Sequence, residues 1–400
     1  MTTDFPPTRT AALERLARFV PRAGADYARG RNFDLGPGRH HRVSTLSPYL
    51  RHRLITEAEV LEAVCARHSL KAAEKFVQEV FWRTYWKGWL ELRPGIWDDY
   101  LTQRMAAWNA VQTQAGLRAQ WEEACAGRTG IDGFDAWAQE LVQTGYLHNH
   151  ARMWVASIWI FTLRLPWALG ADFFLRHLLD GDPASNTLSW RWVAGLHTKG
   201  KTYLARADNI ATYTQGRFAP KGLAACAVPL RGPDHPRPRP LPAPDRVMPG
   251  LRTGLLITPE DLSPEHVAKA LPNPVATAMI SHRCRLSHLE MAPRVLNWDS
   301  AVLEDMATRW SGRLGPIIPI VNPVAWVEEH ALEQIVTPYA PVGTEATALD
   351  QLQAALPGLR IARLRRAYDS AAWPHATHGF FRFNEVLPRL IAGLKGIRAA

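Results

Sequence analysis

The chain has 400 residues, 47% of them hydrophobic and 21% charged, with a net charge of +10. That length exceeds one hydrophobic core and predicts about two domains. No run of about 18 uncharged apolar residues occurs, and Asp, Glu and Arg interrupt the apolar stretches of the first 30 residues. These features argue against a membrane span or a signal peptide and lead us to expect a soluble, cytoplasmic protein.

From Arg9 to about Arg217 apolar residues recur three and four apart, as in Leu13, Leu16, Ala17 and Val20, which predicts a helical domain over residues 1–220. Twelve of the 16 tryptophans fall before residue 200, several beside charges, where core filling alone would favour Leu and Ile. Residues 151–250 hold 13 Lys or Arg against 6 Asp or Glu, a balance suited to a polyanion such as nucleic acid. Within residues 221–250, eight prolines between 229 and 249 predict a linker or an extended surface strap. Beyond it, the short runs Gly254–Thr258, Val275–Ile280, Gln334–Tyr339 and Arg360–Leu364 alternate with helical segments at Thr344–Leu356 and Asn384–Leu394. This alternation predicts a smaller α/β domain over residues 251–400 with a mainly parallel sheet.

The cysteines, Cys65, Cys125, Cys226 and Cys284, lie far apart without a CxxC pair, so neither a metal site nor an iron-sulfur cluster is expected. Ser44-Thr45-Leu46-Ser47-Pro48 stands at a loop-to-helix junction, where hydroxyls and free backbone N–H groups suit a phosphate. Glu79, Trp82 and Arg83, three and four apart, share one helical face. Alone they read as a surface salt bridge over a core tryptophan. His148 and His150 diverge on a helix, and Asp180 with Asp182 lacks the remaining ligands of a calcium loop. Gly195 to Thr202 satisfies GxxxxGK[ST], but Ser189–Ala194 before it is a poor buried strand, so a phosphate-binding loop is not expected.

Taken in order, these blocks resemble the catalytic, FAD-binding half of the photolyase/cryptochrome superfamily over about residues 25–218. Tyr27-x-x-x-Arg31-x-Phe33 resembles a stretch whose tyrosine touches FAD, and Ser44, Thr45, Leu46 and Ser47 resemble the segment around the FAD diphosphate. Val43 and Thr45 depart from the family pattern, which exchanges one hydroxyl contact for another. The resemblance places Glu79 on the lesion bases, Trp82 against the dimer and Arg83 beside the flavin. Leu147-His148-Asn149-His150-Ala151-Arg152-Met153 resembles MHNRxRM, with Asn149 facing flavin and substrate, Arg152 paired with an acid at the isoalloxazine and Met153 on the dimer. Methionine there is typical of cyclobutane-dimer enzymes, and His150 replaces an arginine that contacts DNA.

The run Asp180-Gly181-Asp182-Pro183-Ala184-Ser185-Asn186, followed by Trp190-Arg191-Trp192, resembles the family's DGDxAxN…WxW block. Asp180, Gly181 and Asp182 then hold the flavin side, and Asn186 lies by N5, where an amide carbonyl favours the reduced ring. Trp190 and Trp167 become the proximal and middle members of a photoreducing electron chain; Trp108 and Trp121 both remain open as the surface member. Trp192 becomes the second indole on the dimer, and Gln215, in Asn209–Gly216, becomes a DNA contact.

Only 26 residues precede Tyr27, and an α/β segment follows the helices, an inverted order that resembles the bacterial NewPHL subgroup. The resemblance implies a mainly α fold, a helical FAD domain followed by a small Rossmann-like α/β domain that covers the FAD site. It also implies no antenna chromophore, and light-driven repair of pyrimidine dimers by a monomer acting on UV-damaged, preferentially single-stranded DNA. A cryptochrome-like blue-light photoreceptor is the alternative.

Overall fold

The computed structural model describes residues 5–397. Helices fill the first half, from Arg9–Phe19 to Ala207–Tyr213, and no strand is present among the described residues of that half. Their starts follow from local chemistry. Thr56 and Glu59 form a reciprocal capping box for the helix Glu57–Cys65, and Ser69 Oγ accepts from Ala72 N at the start of the 22-residue helix Leu70–Glu91. Asp182 caps Pro183–Val193 through Ser185 N, with proline in the first turn.

Residues 217–252 contain neither helix nor strand, as their prolines dictate. They are a strap laid over both halves: Leu230 N donates to Ala194 O, Arg239 N to Leu92 O, and Arg365 Nη2 to Pro242 O.

Five strands then build one wholly parallel sheet in the order β3-β2-β1-β4-β5: β1 Thr253–Ile257, β2 Thr277–Met279, β3 Ile317–Pro319, β4 Gln334–Pro338 and β5 Arg360–Leu364. Three of them lie within the runs read from sequence, and β1 begins one residue before its run Gly254–Thr258. β3 was not among those runs, since it is a three-residue edge strand with largely exposed side chains, so burial imposes no apolar pattern on it. The 22-residue helix Pro293–Leu314 was likewise not singled out.

An open parallel sheet presents its ligand crevice at the carboxyl ends of the strands, where the order reverses, here between β1 and β4. In this chain the helical half fills that place. Glu91, at the end of the long helix Leu70–Glu91, accepts from Tyr339 Oη at 2.7 Å and from Val342 N, and a Cβ on Gly343 would stand 2.8 Å from Pro183. Gly88 permits a similar approach, because a Cβ there would lie 2.9 Å from Trp373 Cα. One buried apolar cluster accordingly runs from Phe5 to Leu394 through both halves, and a smaller one lies beneath the outer side of the sheet.

Candidate active site

The site grows from the loop between helices Trp167–His177 and Pro183–Val193. Arg152, one turn into the helix Asn149–Ser157, holds Asp180 with two parallel N–H bonds of 3.1 and 2.8 Å and donates its Nε to Leu147 O. Such a fork fixes both direction and charge. Two residues on, Asp182 uses one oxygen as the helix cap, while the other meets Lys87 Nζ at 2.8 Å and Arg83 Nη1 at 3.5 Å. Burial alone would push this carboxyl up, but Lys87, Arg83 and Arg51 hold it well below the ordinary range. Between the two acids, Gly181 O accepts from Arg51 Nε at 3.0 Å and Arg283 Nη1 at 2.6 Å. Asn186 donates its amide N–H to Ala171 O at 2.8 Å, which leaves the carbonyl as the acceptor end of that side chain.

The long helix forms the opposite wall. Glu79 pairs with Arg31, and its carboxyl is pushed up by burial, with Arg31 opposing. Arg83 bridges Glu57, at 3.2 Å, to Asp182. Trp82 is half-buried, and one of its ring faces is covered by Phe380 at a centroid separation of 3.7 Å and 10°.

The family described as the FAD binding domain of DNA photolyase matches residues 76–222, the segment that carries the long helix and the Asp180–Asn186 loop. Over residues 76–222 the chain is thus similar to the FAD-binding domain of the photolyases. The deoxyribodipyrimidine photo-lyase of Synechococcus is 33% identical over 197 residues, 47% of this chain and 39% of that protein; that of Streptomyces griseus is 33% identical over 202 residues, 46% and 41%. A bacterial class III photolyase from Agrobacterium tumefaciens superposes with a TM-score of 0.43 at 27% identity, over 52% of this chain and 43% of that one. The chain thus spans about two fifths of the length of the curated photolyases it matches.

The remaining photolyase-like positions have the following surroundings. Tyr27 is buried edge-on to Phe19 and Phe76. Thr45 has a left-handed backbone, φ 50°, uncommon for a β-branched residue, and its hydroxyl accepts from Arg15 Nη1 at 2.6 Å and donates to Ser44 O. Ser44 Oγ accepts from Leu46 N at 3.4 Å, and Ser47 opens the short helix Ser47–Arg51. Asn149, exposed, and Met153, half-buried, lie on the Arg152 helix. His150, in the place of the family arginine, stacks on Trp154 at 4.1 Å and bonds Asn32 O and Tyr203 Oη. Trp192 lies nearly parallel to Tyr203 at 6.0 Å, and Gln215 is exposed with φ 55°.

Trp190 is fully enclosed, with ring contacts to Phe174 at 5.0 Å and Trp159 at 6.2 Å. Trp167 contacts Tyr100 at 5.7 Å, donates to Gln103 Oε1, and lines a groove of about 790 Å³ under the strap. Trp108 and Trp121 touch each other, 5.3 Å apart, so spacing along the chain had no means to choose between them. Arg191, which the charge count had grouped with the basic surface, is buried, and burial lowers its pKa. Lys199, Lys201, Arg206 and Lys221 are exposed. The GxxxxGK[ST] segment follows the helix Pro183–Val193 as turns, without the preceding strand that a phosphate loop needs.

Sequence reasoning missed Arg15, Arg51, Lys87, Glu260 and Arg283. Glu260 follows β1 and pairs with Arg51 at 2.7 Å and Lys87 at 3.4 Å; burial opposes its ionisation, yet these cations push it down to about 2. No local pattern marks a partner some 170–210 residues away.

Asp299, on the helix Pro293–Leu314, accepts from Ser281 Oγ and is pushed up to about 6 by burial, against the pull of Arg283. Its folded pKa lies above the unfolded value of about 3.9, so its stabilising contribution is complete below about pH 4 and is lost as pH rises through 6. Glu260 has the opposite sign, stabilising above its unfolded value and losing that contribution only toward pH 2. Asp299→Asn should therefore gain roughly 2 kcal/mol relative to wild type on going from about pH 4.5 to pH 7 in urea unfolding. Parallel pH profiles for the two proteins would refute this.

Proposed function

We propose that this chain holds FAD in its helical half and uses blue light to split cyclobutane pyrimidine dimers in DNA, with a preference for single strands. The carrying observation is that Arg83, on the long helix that also bears Glu79 and Trp82, reaches Asp182 on the loop where Arg152 holds Asp180 and Asn186 is anchored to Ala171 O. The residues present fit the cofactor. Arg51 Nη1 is a buried hydrogen-bond donor without a partner among the described residues, and a diphosphate offers acceptors.

When bound and reduced, FAD supplies the light absorption and the electron for dimer cleavage. The chain's own residues do the rest. Asn186 directs a carbonyl acceptor into the site, while the Arg152–Asp180 pair sets a fixed dipole beside it. Ser44, Thr45, Leu46 and Ser47, with Arg15 behind Thr45, offer hydroxyls, backbone N–H groups and a cation to a diphosphate. Glu79, whose carboxyl favours its proton more than an ordinary one, donates or accepts at the lesion bases. Met153, Trp82 and Trp192 flank an extruded dimer, and a damaged or unpaired base costs least to unstack. Exposed Lys199, Lys201, Arg206 and Lys221 meet phosphates.

The purified chain should show flavin absorbance and, once reduced, should restore dimer-containing oligonucleotide under blue light. Trp82→Ala should weaken dimer binding about 5- to 150-fold, as expected for one lost stacking platform of 1–3 kcal/mol. Flavin binding with no light-dependent repair would favour the photoreceptor reading, and failure to load flavin would end both.

A further inference from the structure

The short helix Phe380–Asn384, near the end of the α/β half, presents three aromatic rings in two directions. Phe380 and Phe383 are buried on the long helix: Phe380 stacks on Trp82, and Phe383 meets Phe81 at 6.3 Å and Tyr85 at 5.6 Å. Phe381 points the other way and is 86% exposed. The segment is held in place, because Tyr85 Oη donates to His378 O at 2.8 Å and Arg93 Nη2 to Thr377 O at 2.6 Å. Phe381 thus stands in water next in the chain to the ring that covers the indole assigned to the lesion, with a free face open to a flat partner.

The charge around it favours a polyanion. Exposed Arg382 adjoins Phe381, exposed Arg389 lies one helix further and bonds His375, and His378 is exposed, against one exposed acid, Glu385, within residues 375–389. We propose that this helix is part of the nucleic-acid contact surface: Phe381 stacks on an unpaired base flanking the lesion, and Arg382 takes the adjoining phosphate. The inference rests on the proposed photolyase function and gives its single-strand preference a structural source. A base offers its ring face to Phe381 only when its neighbour in the strand has been unstacked, which a single strand allows at small cost. It also assigns the α/β half a share in substrate recognition, through residues outside the family match at 76–222.

The test is fluorescence anisotropy of the flavin-loaded chain with undamaged oligothymidylate and with a duplex of the same length. Phe381→Ala should weaken single-strand binding about fivefold or more, as loss of one base-aromatic stack predicts. Duplex affinity and the flavin spectrum should be unchanged, and Phe381→Trp should retain wild-type affinity. Arg382→Gln should reduce the slope of log K against log salt on the single strand by roughly 0.7, one phosphate contact. Unchanged single-strand affinity in Phe381→Ala, or an equal loss on both substrates, overturns the inference while leaving the proposed function standing. Wild-type protein that binds neither these oligonucleotides nor a dimer-containing one overturns both.

Discussion

Replacing Arg53 with methionine should lower the unfolding free energy by about 3–5 kcal/mol, the cost of stripping a buried ionic cluster of its counter-charge. Arg53 lies between the two halves and is 3% exposed. Its guanidinium gives Nε to Glu57 at 3.1 Å, two bonds of 2.8 and 2.7 Å to Asp369, and a longer contact of 3.4 Å to Asp261. Burial opposes its charge, yet the three carboxylates hold its pKa well above the ordinary value. Without it Asp261 keeps Arg366 and Glu57 keeps Arg83, whereas Asp369 loses the fork that satisfied both of its oxygens. Arg53→Lys, which keeps a charge but not the planar fork, should fall between the two. Urea unfolding of the three proteins measures this, and a loss below about 1 kcal/mol in the methionine variant would show that the cluster is no more than a solvated surface pair. Because Glu57 also positions Arg83, and Arg51 neighbours Arg53 in the chain, the same substitution should loosen flavin retention.

The second large effect is expected at Trp190. Its ring is enclosed by Phe174 and Trp159 beneath Gly170, where a Cβ would stand 2.3 Å from the indole. Its Nε1 has no hydrogen-bond partner among the described residues, so Trp190→Phe removes no bond and should cost well under the roughly 3–5 kcal/mol of truncation to alanine. A benzene ring is much harder to oxidise than an indole. Photoreduction of the bound flavin should slow by about tenfold or more, a barrier rise of at least roughly 1.4 kcal/mol, while repair by chemically reduced protein stays within about twofold. Time-resolved absorption and a repair assay on the same preparation separate the two activities. Equal loss of both would mean that Trp190 acts through packing. Trp159→Phe is the informative companion, since Trp159 is the indole in ring contact with Trp190.

Phe380 on Trp82 shows where reading by motif stops. The motif supplies the indole, but the ring that covers one of its faces comes from nearly 300 positions away and carries no signature of its own. The same holds for Glu260, which brings a second carboxylate to the cations around Asp182, and for Arg283 on Gly181 O.

By itself the sequence determined whatever depends on neighbours within a few turns. The 3.6-residue period marks the helices up to Tyr213, the prolines forbid regular structure in the strap, and β-branched runs mark four of the five strands. The order of site blocks was legible too, because Asp180, Asp182 and Asn186 lie on one loop and cap, and Glu79, Trp82 and Arg83 on one helical face. Tertiary structure alone decided that Arg191 is buried, that the carboxyl edge of the sheet is filled by Glu91 and Pro183, and that the buried ions form one cluster across both halves. Charges in a low-dielectric interior are set by whichever opposite charges the fold brings within about 4 Å, and that proximity has no period along the chain.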